Sequence, residues 1–167
     1  MNSRIKGRTA RKEICGKTRE EYTEKINSYL EKLLNGKKTV MVYNAIDGEV
    51  EVRIKGRTLI YPRVEGENIV PVKPIAFKQG AYGISEPVGV PYSGKIDAAV
   101  VPMCAYSGAL DRAGFGKGYY DRFLKNFDAV KIGIAFSCQK DDGICVKNTD
   151  VKMDYIVTEN GILGDEK

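Results

Sequence analysis

Ile96-Asp97-Ala98-Ala99-Val100-Val101-Pro102, with Arg112-Ala113-Gly114-Phe115-Gly116-Lys117-Gly118-Tyr119-Tyr120-Asp121-Arg122 shortly after it, decides how this chain is read. Ala98 to Val101 is an unbroken apolar run, the pattern of a strand covered on both faces and hence of a sheet with helices on either side. In the second stretch glycines alternate with larger residues. Glycine tolerates positive φ and lets backbone N–H groups close on an anion. Arg112, Lys117 and Arg122 bring positive charge, and Asp121 is a hard oxygen ligand suited to magnesium. A helix expected from about Gly118 to Phe127 would aim its positive end at the same place. The two stretches together read as a buried strand leading into a phosphate and Mg²⁺ site.

Working outward, Thr18-Arg19-Glu20-Glu21 has the form of a capping box, and Ile26, Tyr29, Leu30, Leu33 and Leu34 fall on one face of the helix it would start. Asn35-Gly36 is a natural stop. Strands are expected at Lys38 to Asn44, at Glu49 to Ile54 (half exposed, after an Asp47-Gly48 turn) and at Thr58 to Tyr61, where Pro62 should end the run. Short extended pieces follow at Ile69 to Val72 and Ile75 to Phe77, then irregular chain from Gly80 to Val90. Beyond the glycine loop, Val130 to Phe136 reads as a buried strand and Tyr155 to Thr158 as a last short one. Strands alternating with helices predict a three-layer α/β/α domain, Rossmann-like, with a mostly parallel or mixed central sheet and one domain spanning 1–167. Ligands in such folds bind beyond the carboxyl ends of the strands, where the glycine loop begins. Asp150 and Asp154 precede the last strand and would come near the same edge. Asp150 reads equally well as a turn residue after Asn148-Thr149.

Composition removes whole classes of chemistry. The 167 residues include no histidine, which excludes Cys/His zinc sites and Ser-His-Asp or Cys-His nucleophiles. The cysteines at 15, 104, 138 and 145 form no C-x-x-C pair and are expected to be small core residues. The net charge is +5, with Arg4, Lys6, Arg8, Arg11 and Lys12 crowded near the start. That run reads as a solvated, partly disordered tail or as a polyphosphate clamp. No aromatic residue is interleaved with it, so nucleic acid is not expected as a partner. No apolar run approaches the ~20 residues of a membrane span, and the basic N-terminus lacks an apolar h-region. A cytoplasmic protein without a membrane partner is expected.

Several landmarks, in matching order over most of the chain, resemble those of the 5-formyltetrahydrofolate cyclo-ligase (methenyltetrahydrofolate synthetase) family. They are Glu49-Val50, Tyr61-Pro62-Arg63-Val64, Tyr82-Gly83-Ile84-Ser85-Glu86-Pro87, Ile96 to Pro102, the loop Arg112 to Arg122, and Asn148-Thr149-Asp150-Val151-Lys152-Met153-Asp154. The resemblance implies conversion of 5-formyltetrahydrofolate to 5,10-methenyltetrahydrofolate, with ATP as cosubstrate and Mg²⁺ as cofactor, releasing ADP and phosphate. It implies Arg8, Arg11, Arg112, Gly114, Phe115, Gly116, Lys117, Gly118, Tyr119 and Tyr120 around ATP, and Lys117 and Arg122 as catalytic cations. Glu49, Tyr82 and Glu86 would bind the reduced folate, with Phe115, Gly116, Lys117, Gly118 and Tyr119 bordering it. Asp121 and Asp150 would hold Mg²⁺. Gly7 stands where the family has a lysine, Ser107 where it has an aspartate and Leu110 where it has a glycine; the stretch between Val50 and Tyr61 is too short for the helix usual there. The expected partners are the two small molecules, for a monomer or small homo-oligomer. A non-catalytic nucleotide- or folate-binding relative and, last, a basic RNA-binding protein are the other readings.

Overall fold

The computed structural model describes residues 2–80 and 83–164. Two helices open the chain, α1 (Ser3–Glu13) and α2 (Gly16–Leu33). Strands β1 (Thr39–Met41), β2 (Thr58–Glu65), β3 (Asn68–Val72), β4 (Ala76–Gln79), β5 (Ser85–Val88), β6 (Ala98–Pro102), β7 (Ala105–Tyr106) and β8 (Arg112–Ala113) follow. Helix α3 (Tyr119–Leu124), β9 (Val130–Ile134), β10 (Tyr155–Thr158) and β11 (Gly161–Leu163) complete the order. Seven strands form one sheet in the order β11-β10-β9-β6-β1-β2-β3. The inner five run parallel, and β3 and β11 close the edges antiparallel.

The apolar runs split by parity, as strands covered on both faces must. Val40, Val42, Ala98 and Val100 turn to one face, where Ile26, Leu30 and Leu34 pack on them. Met41, Ala99 and Val101 turn to the other and meet Leu124, Phe123 and Phe127. Helix, sheet and helix therefore form the expected three layers. The strand order reverses between β1 and β6: the chain leaves β1 toward β2 on one side and β6 toward β9 on the other. A crevice at the carboxyl ends of these two strands is where an open α/β sheet offers a binding site.

Other expectations need correction. The basic N-terminal run is no loose tail; it is α1, capped by the Asn2 side chain, which accepts from Arg4 N. Helix α2 starts at Gly16, before Thr18, because Cys15 O takes the first helical N–H, from Arg19. Residues 50–54 alternate in burial, and the stretch 49–54 joins no strand. The Asn27 side chain takes the place of a strand neighbour, donating to Glu51 O at 2.8 Å and accepting from Arg53 N at 2.7 Å. No helix follows before β2. Strand β2 continues through Pro62, which faces Pro71 across the β2–β3 ladder after β1 has ended opposite Ile60, so its missing N–H is not called on. Part of the stretch 80–90 is β5, hairpinned to β4. Helix α3 is one short helix ending at Leu124, and β11 is an edge strand with no expected counterpart. Only Cys104 is buried; Cys15, Cys138 and Cys145 are exposed. Among the described residues no helix is long and apolar enough to cross a membrane.

Candidate functional site

One lip of the crevice is the glycine loop. It is anchored where Cys104 N donates to Ala113 O at 2.7 Å and β7 pairs with β8. It then rises to an exposed crest at Phe115, Gly116 and Lys117. Gly116 (φ 98°) and Gly118 (φ 69°) hold the left-handed conformations the motif needs. Just before the loop, Leu110 also holds a positive φ, 66°, where the resemblance put a glycine. Ser107 closes that turn, its hydroxyl donating to Asp111 Oδ2 at 2.9 Å.

Helix α1 lies against the loop. Arg4, Gly7, Arg8 and Arg11 fall at i, i+3, i+4 and i+7 and so share one face. Arg4 Nε donates to Gly114 O at 2.8 Å, and the Arg8 guanidinium sits 5.2 Å from the centre of the Phe115 ring. Gly7 makes the approach possible: a Cβ there would lie 2.0 Å from Cys104 O. The family's lysine has no room at this position. Arg4 is the loop-contacting residue that sequence reasoning passed over, and the helical spacing of 4, 7, 8 and 11 was the signal available.

The other lip is the turn after β1. Asp47 (φ 52°) and Gly48 (φ 76°) reverse the chain, and Glu49 comes out buried, against the exposed position expected from alternation. Asp47 accepts from Arg8 Nε at 2.5 Å and Arg11 Nη2 at 3.3 Å and pairs with Lys12. Burial pushes its carboxyl up, but these cations outweigh that and bring it down to about 2. Glu49 Oε2 accepts from Ile46 N at 3.1 Å. Its Oε1 has no hydrogen-bond partner, with Arg11 Nη2 at 3.9 Å. Burial dominates here and lifts the carboxyl to about 7, against the pull of Ile46 N–H and Arg11. Tyr43 and Tyr120 face the same carboxylate; burial first, then its charge, pushes both phenols up.

Arg11 is fully buried. It donates to Asp47 O at 2.9 Å and Met103 O at 3.0 Å, and its guanidinium lies 6.0 Å from the centre of the Phe115 ring. Arg112 is likewise buried, paired with Asp121 Oδ1 at 2.7 Å, and among the described residues its Nε is, with Glu49 Oε1, a buried side-chain polar atom without a hydrogen-bond partner. It lies over the Tyr120 ring, 5.7 Å from the centre. Arg122 turns to the β2–β3 corner, donating twice to Glu67 O at 2.8 and 2.6 Å, and stacks on Tyr119. Glu86 is on β5 and pairs loosely with Lys78; the hairpin reaches the crevice where Asn44 Nδ2 donates to Ser85 O at 3.0 Å. Tyr82 lies outside the described residues.

The backbone next to Asp150 reaches Asp121: Val151 N donates to Asp121 Oδ1 at 3.2 Å. Asp150 closes its own turn by accepting from Lys147 N at 2.8 Å, which is its reading as a turn residue. No group of three or more metal-ligating side chains occurs among the described residues. Magnesium commonly takes only one or two protein carboxylates, with substrate phosphates and water completing its shell. Asp121 is a hard oxygen donor of that kind, and Arg112 shares it at 2.7 Å.

The profile of the 5-formyltetrahydrofolate cyclo-ligase family matches residues 3–159. The 5-formyltetrahydrofolate cyclo-ligase of Mycoplasma pneumoniae is 32% identical over 149 residues, 81% of this chain and 84% of that protein. The solution structure of the Aquifex aeolicus 5,10-methenyltetrahydrofolate synthetase superposes with a TM-score of 0.83 at 34% identity, covering 99% of this chain and 93% of the other. The Mycoplasma pneumoniae synthetase structure superposes at 0.79 with 25% identity, covering 94% and 96%.

Proposed function

This chain belongs to the 5-formyltetrahydrofolate cyclo-ligase family, and from that premise we propose that it converts 5-formyltetrahydrofolate to 5,10-methenyltetrahydrofolate at the expense of ATP. The formyl oxygen attacks the γ-phosphorus and ADP leaves. N10 then bonds to the activated formyl carbon, its proton is lost, and the formyl oxygen departs as phosphate. Such a reaction asks a protein for positioning and charge stabilisation more than for a nucleophile, so a chain without histidine can perform it.

The observation that carries the reading is the facing of the two lips. An exposed glycine loop with a free-standing lysine lies across from a buried carboxylate that has one oxygen unpartnered. In the proposal the backbone of Gly114 to Gly118 and Lys117 cradle the polyphosphate, with Arg4 and Arg8 adding charge from α1. Phe115 separates nucleotide from folate, and Tyr119 and Tyr120 back the loop. The Glu49 carboxylate accepts from the amino and ring N–H groups of the pterin, one bond on the open Oε1 and one on the remaining lone pair of Oε2, paired bonds that a carboxylate receives well. Glu86 and Tyr82 border the folate from the hairpin. Arg112 orients Asp121, and Asp121 and Asp150 hold magnesium, which when bound neutralises charge on the phosphates. Arg122 reaches the phosphates only by leaving Glu67.

Incubating the purified protein with 5-formyltetrahydrofolate, ATP and Mg²⁺ should give methenyltetrahydrofolate absorbance together with ADP. Binding of both molecules without either product would replace this reading with a non-catalytic relative. Asp121→Ala should abolish magnesium-dependent turnover, and full activity in that variant refutes the metal assignment.

A further inference from the structure

The crest of the glycine loop is exposed, so its course is set mainly at its two roots, and one stretch of chain holds both. The leading root is the turn 107–111, which joins β7 to β8. Met153 N donates to Leu110 O at 3.0 Å, Lys152 Nζ donates to Ala109 O at 2.9 Å, and the same Nζ lies 3.1 Å from Asp111 Oδ1. The trailing root is the start of α3, where Val151 N donates to Asp121 Oδ1 at 3.2 Å. Arg112 reaches the same oxygen from across the loop, at 2.7 Å. Residues 151–153 therefore run as a strap from one root to the other.

The leading root carries a lock of its own. The buried Ser107 hydroxyl accepts from Ala109 N and Asp111 N, both at 3.2 Å, and donates to Asp111 Oδ2 at 2.9 Å. Asp111 thus gives one oxygen to Ser107 and the other to Lys152, with its side chain only 12% exposed. Between them Leu110 stays at a φ of 66°, a conformation that an L side chain holds only where its neighbours over-determine it. We propose that Asp111 is a positioning residue for the nucleotide half of the site: it locks the strap to the leading root and so fixes Arg112, the next residue, and the N–H groups of the loop beyond. The inference rests on the reading of the loop as the polyphosphate cradle. Asp111 acts through the loop rather than on the ligand.

The test is Asp111→Ala in the full chain, with its fold checked by circular dichroism. KM for ATP should rise about tenfold while KM for 5-formyltetrahydrofolate stays within about twofold. Asp111→Asn keeps an acceptor for Ser107 and loses only the charge. It and Lys152→Met should each raise KM for ATP about threefold, as suits a partly exposed ion pair. Lys152→Met should add little in the Asp111→Asn background, since both remove the same tie. A loss of stability with KM for ATP unmoved overturns the proposal, as do equal rises in both KM values or independent effects of the two substitutions. Without any ligand, the Met153 amide should exchange about tenfold faster in Asp111→Ala while the Ile156 amide in β10 keeps its rate; unmoved exchange at Met153 overturns the strap. If the wild type shows no turnover, the enzymatic reading has failed, and the dissociation constant for ATP with Mg²⁺, from calorimetry, takes the place of KM. If the wild type does not bind ATP, the cradle reading has failed, and the lock is judged by the Met153 exchange alone.

Discussion

The two lips of the crevice, the glycine loop 112–118 and the turn 46–49, face each other and are built in opposite ways. The loop stands out from β8 with Phe115, Gly116 and Lys117 exposed, held chiefly at its base and by one arginine of α1. The turn is sunk between α1 and β6, with its carbonyls and carboxylates taken by Arg8, Arg11, Lys12 and Arg19. An exposed loop of glycines can mould its N–H groups to a flexible polyphosphate. A rigid heterocycle is better met by a carboxylate that is already fixed and dry, because no reorganisation is then needed on binding. On the proposed assignment this difference matches the two ligands, and variants in the turn should act on stability and folate together while variants in the loop act on the nucleotide alone.

The largest effect is expected at Glu49. Its folded carboxyl ionises near 7, above the ordinary glutamate range. Its contribution to stability is therefore intact at low pH and lost as pH rises through about 7, a loss on the order of 3 kcal/mol at most. The loss builds up between the ordinary value of 4.5 and about 7, so Glu49→Gln should be more stable than the wild type at pH 8 by up to that amount and nearly unchanged at pH 4, as read by chemical denaturation. Its folate kcat/KM should fall about 10²-fold, the worth of a charged hydrogen bond left unmade. Lower stability at pH 8 would show that Arg11 holds Glu49 ionised in the fold and would erase the contrast between the lips.

Next comes Gly7→Ala. The new methyl would meet Cys104 O, and α1 would have to lift from the sheet. Stability should drop by about 2 kcal/mol despite better helix propensity, with both KM values rising because α1 touches both lips. Gly118→Ala forces a side chain into φ 69° and should cost about 1 kcal/mol, with KM for ATP affected more than KM for the folate. The smallest change in stability belongs to Lys117→Ala, within about 0.5 kcal/mol as for an open surface residue. KM for ATP should nevertheless rise about tenfold. A clear loss of stability in that variant would mean that the loop is packed, contrary to its exposure.

How much of this was legible in the chain follows the same division. The loop carries its own signal, because glycine spacing, a lysine and the following aromatic pair specify local conformation and charge wherever they are placed. Strands β6 and β9 were readable for a similar reason, since a strand covered on both faces leaves a continuous apolar run. Glu49 looked like any charged residue on an alternating segment, and nothing local says that α1 will close over it. Arg11 was grouped with its neighbours in a basic run, although Lys6 and Lys12 stay half exposed and Arg11 is wholly buried. Only the packing separates them. Pro62 misled for the opposite reason: its local rule is sound, but β2 places it beyond the end of β1 and opposite another proline.

The sequence by itself determined the layered α/β plan, the buried central strands, the conformation of the glycine loop and the absence of histidine chemistry. These depend on periodicity, glycine and composition, which are properties of short stretches. The tertiary structure alone decided that the crevice opens between β1 and β6, that Glu49 is buried with an oxygen to spare, and which arginine of α1 faces inward. Burial and charge pairing join residues far apart in the chain, such as Arg11 with Met103 and Arg4 with Gly114. No local pattern encodes a contact whose other half lies some ninety or more residues away.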